Sequence, residues 1–314
     1  MKLGLKHVQI ALASLVTTFA SHRTSPACDV PVYQYAMARW VASPYKVYFF
    51  HDGQRREPDQ RVRDEIDRLS KNPMAKANLV HVPVHVGNRN DLASLPKAIR
   101  NALNERRGRM PPHYMVASPS SVIFSGQVVP DEVNRLVDSP VRRQIVRQLF
   151  SGDAAVFVLL RGKNAEANAV AELQVAQTLK GINEGQIVLR TAPKDQKPRP
   201  KDKLKPKPPF KFGSIKLSRD DEKEEWLVRM LLAMEPDLKE KQFEDQAMLF
   251  CVFARGRVLK PYIGGGISRA NLIECGEFVT GPCACTTKEK NLGVELLLRA
   301  NWEMAPGANG KVAP

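Results

Sequence analysis

A segment that occurs twice constrains the fold of this chain more than any other feature of its sequence. The first copy spans 111–150 and the second spans 247–279. Each copy has an apolar strand, a tight turn, a second apolar strand and an amphipathic helix. Each is preceded by an amphipathic helix, and a strand–helix unit opens each half. The order β-α-β-α-β-β-α is that of a compact α/β domain, so the sequence predicts two similar α/β domains in tandem, each a mixed sheet flanked by helices.

Length and composition agree with that arrangement. The 314 residues are enough for about two domains, and the hydrophobic share of 43% and charged share of 26% are those of a globular protein. We expect a signal peptide over 1–20, a first domain over 21–152 and a second over 153–303. The second domain is expected to carry a basic insertion at 192–211, and 304–314 are expected to be a disordered tail.

The segment 1–20 has the features of an export signal. Lys2 and Lys6 precede an apolar run over 8–20, which ends in the small-x-small sequence Thr18-Phe19-Ala20. The run is too short to span a bilayer, and no later run is long enough, so the mature chain is expected to be periplasmic or extracellular without a transmembrane segment. A buried N-terminal helix is the competing interpretation. A lipid anchor on Cys28 is less favoured, because no aliphatic residue stands three positions before it.

Local patterns place further elements. An apolar strand is expected over 45–51, and strict alternation over 79–86 predicts a strand with valines on one face and His81 and His85 on the other. A single helix is expected over 92–103. The helix after the first hairpin is expected to break at Ser139-Pro140, and a short strand fragment is expected over 187–189, interrupted by the basic insertion.

Both halves resemble the thioredoxin-like fold. In that family a redox CxxC follows the first strand, and a cis-proline precedes the strand that opens the final hairpin; Pro112 stands at the place of that proline in the first half. The sequences after the two first strands, His51-Asp-Gly-Gln-Arg and Arg161-Gly-Lys-Asn, contain no cysteine. The second half has Gln246-Ala247 in place of the proline. The resemblance therefore implies two redox-degenerate thioredoxin-like domains.

The two ends of the mature chain also resemble those of uncharacterised exported bacterial proteins. Those proteins carry a Cys-Asp-Val-Pro start and a Gly-Pro-Cys-x-Cys end, which are found here at 28–31 and 281–285. This resemblance implies a shared design and no particular activity.

The five cysteines offer the clearest candidates for chemistry. Cys283 and Cys285 are two positions apart, so a bridge between them would close a tight, strained ring. A bridge from one of them to Cys28 would tie the start of the mature chain to its end and is the expected arrangement. Redox exchange among the three and soft-metal binding by Cys283 and Cys285 are the alternatives. Cys251 and Cys275 are expected to be core residues.

Histidines and glycines supply weaker candidates. His51, His81 and His85 are expected on one sheet face, where they could bind a metal or simply lie under a helix. The three glycines at 264–266 could cradle an anion, but a flexible turn with Ser268 as the helix N-cap explains them as well. The sequence contains no nucleophile-elbow, zincin or phosphate-loop motif and gives no reason to expect a cofactor, so whether the chain is an enzyme stays open.

The insertion is the most basic stretch of the chain. The segment 194–211 carries eight basic and two acidic side chains, a net charge of +6. Such a Pro-rich, Lys-rich tract is expected to be a solvated loop, with contact to a polyanion as the functional alternative. The basic residues are Lys194, Lys197, Arg199, Lys201, Lys203, Lys205, Lys207 and Lys211.

These observations favour an exported, non-catalytic binding or scaffold module with an unidentified protein partner. The fold of a redox family is kept while its paired cysteines are missing. The alternative is a thiol-disulfide oxidoreductase or soft-metal-handling protein that uses Cys28 with Cys283 and Cys285.

Overall fold

A computed structural model describes residues 30–308 apart from 41, 55, 107–111, 120, 191–209, 284–286, 288–289 and 291. In this part of the chain helices flank two mixed sheets, which confirms the predicted α/β class. The signal peptide expected at 1–20 lies outside the described residues. No helix in the described part has both the length and the apolar character that a bilayer crossing requires.

The strands follow the two halves of the chain. They are β1 (Tyr45–His51), β2 (Leu79–His85), β3 (His113–Ala117), β4 (Val122–Gly126), β5 (Ala155–Leu160), β6 (Phe212–Leu217), β7 (Met248–Phe253), β8 (Arg257–Val258), β9 (Tyr262–Ile263) and β10 (Val294–Glu295).

The helices alternate with these strands. They are α1 (Val32–Arg39), α2 (Glu57–Lys71), α3 (Arg89–Ser94), α4 (Lys97–Glu105), α5 (Pro130–Val137), α6 (Pro140–Phe150), α7 (Ala165–Asn183), α8 (Glu225–Leu232) and α9 (Arg269–Thr280). Short 3-10 helices cover Glu222–Glu224, Pro236–Lys239, Lys241–Phe243, Gly264–Gly266 and Trp302–Met304.

The two sheets share one strand order. In the first sheet the order is β2-β1-β3-β4, with β1 parallel to β2 and antiparallel to β3, and β4 antiparallel to β3. In the second sheet β6-β5-β7-β8 repeats this order and these directions, β10 extends the edge beyond β8, and β9 pairs with the start of β7. Each half therefore builds its sheet from a parallel β-α-β unit and an antiparallel hairpin.

One hydrophobic core fills the space between the two sheets. Val47 of β1 and Val158 of β5 belong to this core, which also contains the apolar sides of α2, α5, α6 and α8. Val62, Ile66 and Leu69 of α2 are all buried here, as their spacing predicts. Each large apolar side chain buried in this way contributes about 1.5–3 kcal/mol, so the shared core joins the two halves strongly.

The outer faces of the sheets carry two further cores. Tyr48 and Phe50 of β1 pack with Ile99 of α4 on the outer face of the first sheet. On the outer face of the second sheet, β5 and β7 pack with α1, α7 and α9. Helix α1 precedes the first half in sequence but packs against the second, because residues 30–32 pair with residues 281–283 next to α9.

Hydrogen bonds also link the two halves of the chain. The Tyr45 hydroxyl of β1 donates to the main-chain oxygen of Glu295 in β10, at 2.6 Å. The guanidinium of Arg142, a fully buried side chain of α6, donates to the main-chain oxygens of Leu136, Arg135 and Leu297. Burial lowers the pKa of Arg142 to about 10, so this side chain stays charged at neutral pH.

Prolines determine two helix boundaries, one that the sequence predicts and one that it does not. The helix after the first hairpin breaks at Ser139-Pro140 into α5 and α6, as predicted. The single helix expected over 92–103 is wrong, because the structure has α3 and α4 instead. Leu95 before Pro96 is extended (φ −65°, ψ 142°), since proline disfavours helical geometry in the residue before it.

Two other expectations are corrected. Residues 187–189 form no strand; β6 is continuous from 212, and Leu189 is buried against Gly276 of α9. The disordered tail was expected to start at 304, but Ala305 and Ala308 are buried in the outer core of the second sheet. Burial of these small apolar side chains stabilises the fold, and the local composition of the sequence does not predict it. Residues 309–314 lie outside the described part.

Candidate functional site

Histidines gather at the carboxyl edge of the first sheet. His51 ends β1 and His85 ends the parallel strand β2, so they are register partners with ring centroids 5.3 Å apart. The Phe49 ring lies 5.3 Å from that of His51 and 5.9 Å from that of His81. The structure thus brings together the three imidazoles that the alternation of β1 and β2 places on one face.

The hydrogen bonds of this edge oppose metal binding. The main-chain N–H of Gly53 donates to Nδ1 of His51, and that of Gly87 donates to Nδ1 of His85, both at 3.1 Å. The lone pair of each Nδ1 therefore accepts a hydrogen bond from the backbone. In the neutral ring the proton then lies on Nε2, so neither nitrogen has a free lone pair to bind a metal. Among the described residues no group of three or more His, Cys, Asp or Glu side chains could hold a metal ion.

The interior of this cluster is aromatic and poorly solvated. The Nε2 atom of His81 is buried without a hydrogen-bond partner among the described residues, and burial lowers the pKa of His81. Tyr114 stacks on Phe49 at 4.8 Å, and its hydroxyl donates to Asp59 in the first turn of α2, at 2.8 Å. Burial and that hydrogen bond raise the pKa of Tyr114, so its phenol stays protonated at neutral pH, and the bond to Asp59 links α2 to the sheet.

The matching edge of the second sheet is closed by its own backbone. The N–H groups of Lys163 and Asn164, just after β5, donate to the oxygens of Glu244 and Asp245, just before β7, at 2.9 and 3.4 Å. A Cβ atom on Gly162 would lie 2.4 Å from the oxygen of Asp245, so the two loops touch. This contact leaves no space for a substrate chain between these two described loops.

The cysteine candidates lie at the junction of the two chain ends. Cys28 and Cys285 lie outside the described residues. Cys283 is buried, and its main-chain N–H donates to the oxygen of Val30 at 3.0 Å, beside the bridge between Pro31 and Pro282.

The other two cysteines lie in the outer core of the second sheet, as expected. Cys251 of β7 and Cys275 of α9 are both buried. A hydrogen bond between the two thiols and their burial raise the pKa of Cys251 well above its usual value. Such a thiol is a poor nucleophile.

The remaining candidates are the basic residues of the insertion and the glycines before α9. Of the basic residues, Lys194, Lys197, Arg199, Lys201, Lys203, Lys205 and Lys207 lie outside the described part, while Lys211 is described and lies 3.6 Å from the carboxylate of Asp153. The glycines Gly264–Gly266 form a 3-10 turn, and the Ser268 hydroxyl caps α9 by accepting from the N–H of Asn271 at 3.3 Å.

Asp153 is almost fully buried, although nothing in the sequence predicts it. Its position after Ser151-Gly152 is typical of an exposed turn, and no signal in the sequence distinguishes it from one. Its carboxylate lies next to Gly213 of β6, which is distant in sequence.

Comparison of the chain with family models, with curated proteins and with solved structures yields no match in any of the three. The chain is therefore classified by its architecture. It is an α/β protein with two mixed sheets of the same strand order around one shared core.

Proposed function

We propose that this chain is an exported tandem thioredoxin-like protein that acts as a non-catalytic binding or scaffold module. The repeated order of strands, with the same parallel and antiparallel relations in both sheets, supports the tandem assignment. The thioredoxin-like family has this arrangement of a β-α-β unit and a hairpin, and Pro112 directly precedes β3 as the family's proline would.

The make-up of the two described sheet edges carries the non-catalytic part of the proposal. In the second half the loops at 161–164 and 244–246 are hydrogen-bonded to each other, at the place where a redox motif would face its substrate. In the first half the same place holds His51, whose Nδ1 accepts from Gly53. The described residues of the two edges include neither a thiol nor a nucleophile with an oriented base, which redox and nucleophilic catalysis require.

Export is supported by the segment 1–20 and by the chemistry of the ends. Lys2, Lys6 and the apolar run before Ala20 fit a cleavable signal. Expression in a bacterial host with separate analysis of periplasm and cytoplasm tests this. The proposal expects a periplasmic product that has lost the segment up to Ala20, as judged by its mass; an intact product confined to the cytoplasm contradicts it.

A dithiol-exchange assay tests the absence of catalysis. The purified chain is expected to reduce a protein disulfide in the presence of dithiothreitol no faster than dithiothreitol alone. A variant with Cys283→Ser is the matched control and should give the same rate. A rate above background that falls in Cys283→Ser would refute the non-catalytic proposal.

The alternative, a thiol pair at the chain ends, has one specific observation in its favour. The main-chain oxygen of Val30 accepts a hydrogen bond from the N–H of Cys283. Cys28 is two positions before Val30, so the α-carbons of Cys28 and Val30 are at most about 7 Å apart. A Cys28–Cys283 or Cys28–Cys285 bridge is therefore within reach. A resistant bridge supports a structural staple, and a bridge that mild reductant opens supports redox exchange.

The basic tract gives the proposed module a second contact. Its net charge of +6 over 194–211 suits a polyanion, whose binding would weaken steeply with salt. Deletion of the tract is expected to abolish salt-sensitive retention on immobilised heparin; unchanged retention would exclude the tract.

A further inference from the structure

Helix α7 is apolar on the side that faces solvent as well as on the side that faces the protein. Ala171, Val175 and Leu179 are buried in the outer core of the second sheet. On the opposite side of the helix, Val170 and Leu173 are 65% and 58% exposed. A helix at a protein surface normally carries polar side chains on its outer side, so the outer side of α7 has the composition of a covered surface.

The exposed apolar residues of α7 belong to one stripe along the helix. Its members recur at intervals of three and four, which places them on a single side of an α-helix. The stripe contains Glu166, Ala169, Val170, Leu173, Ala176 and Lys180. The outer side of α2 is different, because Arg61, Asp64 and Arg68 are exposed there and carry charges. Helix α7 thus differs from an ordinary surface helix in the side that it leaves uncovered.

The charges of the α7 stripe lie at its two ends and have opposite signs. Glu166 and Lys180 lie seven positions before and after Leu173, which is about two turns of helix in each direction. Glu166 is exposed, and the Lys180 side chain is 72% exposed with its Nζ 3.9 Å from the carboxylate of Glu184. An exposed ion pair of this length contributes little, so both charges are accessible to a partner.

The α7 stripe is complementary to itself when two copies of the helix lie antiparallel. With Leu173 of each copy on a two-fold axis, Glu166 of one copy faces Lys180 of the other, and symmetry forms the pair a second time. A parallel arrangement would place like charges against each other at both ends, so the antiparallel one is favoured. The small side chains of Ala169 and Ala176 let the two helices approach closely.

We propose that the α7 stripe binds the same stripe of a second copy of the chain in an antiparallel homodimer. The helix has 19 residues, so this face is about 28 Å long and about 10 Å wide. Stable dimers bury roughly 800 Å² on each partner, so an interface built from this helix alone is small and the dimer should dissociate on dilution. The inference goes beyond the proposed function and does not depend on the thioredoxin-like assignment.

Sedimentation equilibrium of the mature chain over about a hundredfold range of concentration tests the proposal. The chain used begins after Ala20, so the apolar run at 8–20 cannot cover the α7 stripe. The weight-average mass should rise toward twice that of the monomer as the concentration increases. Leu173→Glu places two carboxylates at the two-fold axis and should weaken dimerisation at least about tenfold. Met74→Glu, at an apolar residue of the first half that is 75% exposed, is the matched control and should dimerise as the wild type does.

Charge reversal tests the antiparallel arrangement separately from the apolar contact. Glu166→Lys and Lys180→Glu each place like charges together at both ends of the interface, so each variant alone should dimerise several-fold more weakly than the wild type. An equimolar mixture of the two variants restores opposite charges at both ends and should dimerise as strongly as the wild type. The substituted side chains are exposed, so far-UV circular dichroism should be unchanged in every variant.

Three results would overturn the proposal. They are a monomer at every concentration, association of Leu173→Glu as strong as that of the wild type, and a mixture of the two charge variants that associates no more strongly than either variant alone.

Discussion

The hydroxyl of Tyr45 is expected to hold the two halves of the molecule in one cooperative unit. Tyr45 is 1% exposed, and its hydroxyl donates at 2.6 Å to the main-chain oxygen of Glu295, which belongs to the other sheet. Tyr45→Phe removes only this hydroxyl and leaves the acceptor buried without a donor. Loss of a buried partner costs about 1–3 kcal/mol, so we expect the free energy of unfolding to fall by about 2 kcal/mol.

Tyr48→Phe provides the control for that substitution. Tyr48 is 3% exposed on the opposite face of the same strand, and its hydroxyl makes no hydrogen bond among the described residues. The same chemical change should alter the free energy of unfolding there by less than about 0.5 kcal/mol.

Urea unfolding followed by both far-UV circular dichroism and tryptophan fluorescence measures the difference. An effect of about 2 kcal/mol is roughly a 30-fold change in the unfolding equilibrium, well above the error of paired midpoints. Because one core is shared by both sheets, the two probes should report a single coincident transition in both variants. Equal effects of the two substitutions, or two separate transitions, would refute this explanation of how the halves are joined.

Three further outcomes are expected. Gly162→Ala should destabilise the protein by several kcal/mol in thermal unfolding, because its Cβ would meet the facing backbone at 2.4 Å, whereas Gly265→Ala meets nothing within 4 Å and should be nearly neutral. Burial lowers the pKa of His81 in the fold, with Arg63 adding to the effect and Asp67 opposing it, so the unfolded state binds more protons. Stability should therefore fall as the pH drops below about 6.5, and His81→Phe should flatten that part of the curve of stability against pH. The Cys251 thiol should resist alkylation at pH 8 in the native state and react once urea unfolds the chain, since burial and the bond to Cys275 raise its pKa; rapid native labelling would contradict this.

Local patterns in the sequence were enough to locate most of the secondary structure. The apolar run of β1 and the alternation of β2 define those strands at the bounds that the structure shows, apart from Val86. Alternation also places His51, His81 and His85 on one face, because side chains two apart in a strand share a side. The turn before β8 and the cap at Ser268 follow equally local rules.

Features that depend on long-range packing could not be predicted in this way. Arg142 has the sequence context of an exposed helix residue, yet it is buried, and one of the main-chain oxygens that accept from it belongs to Leu297, which lies 155 positions further along the chain. The packing of α1 on the second half depends on pairing between Pro31 and Pro282, at opposite ends of the chain. The burial of Asp153 beside Gly213 of β6 also depends on residues distant in sequence and is visible only in three dimensions.

Cross-strand nuclear Overhauser effects give the most direct test that the chain consists of two matching halves. We expect contacts of a parallel pair between Tyr48 and Val82 and of an antiparallel pair between Tyr48 and Met115 in the first half. The second half should show the same relations, parallel between Val158 and Ile215 and antiparallel between Val158 and Phe250. A different neighbour or direction for the central strand of either half, or one continuous sheet through both, would contradict the tandem architecture.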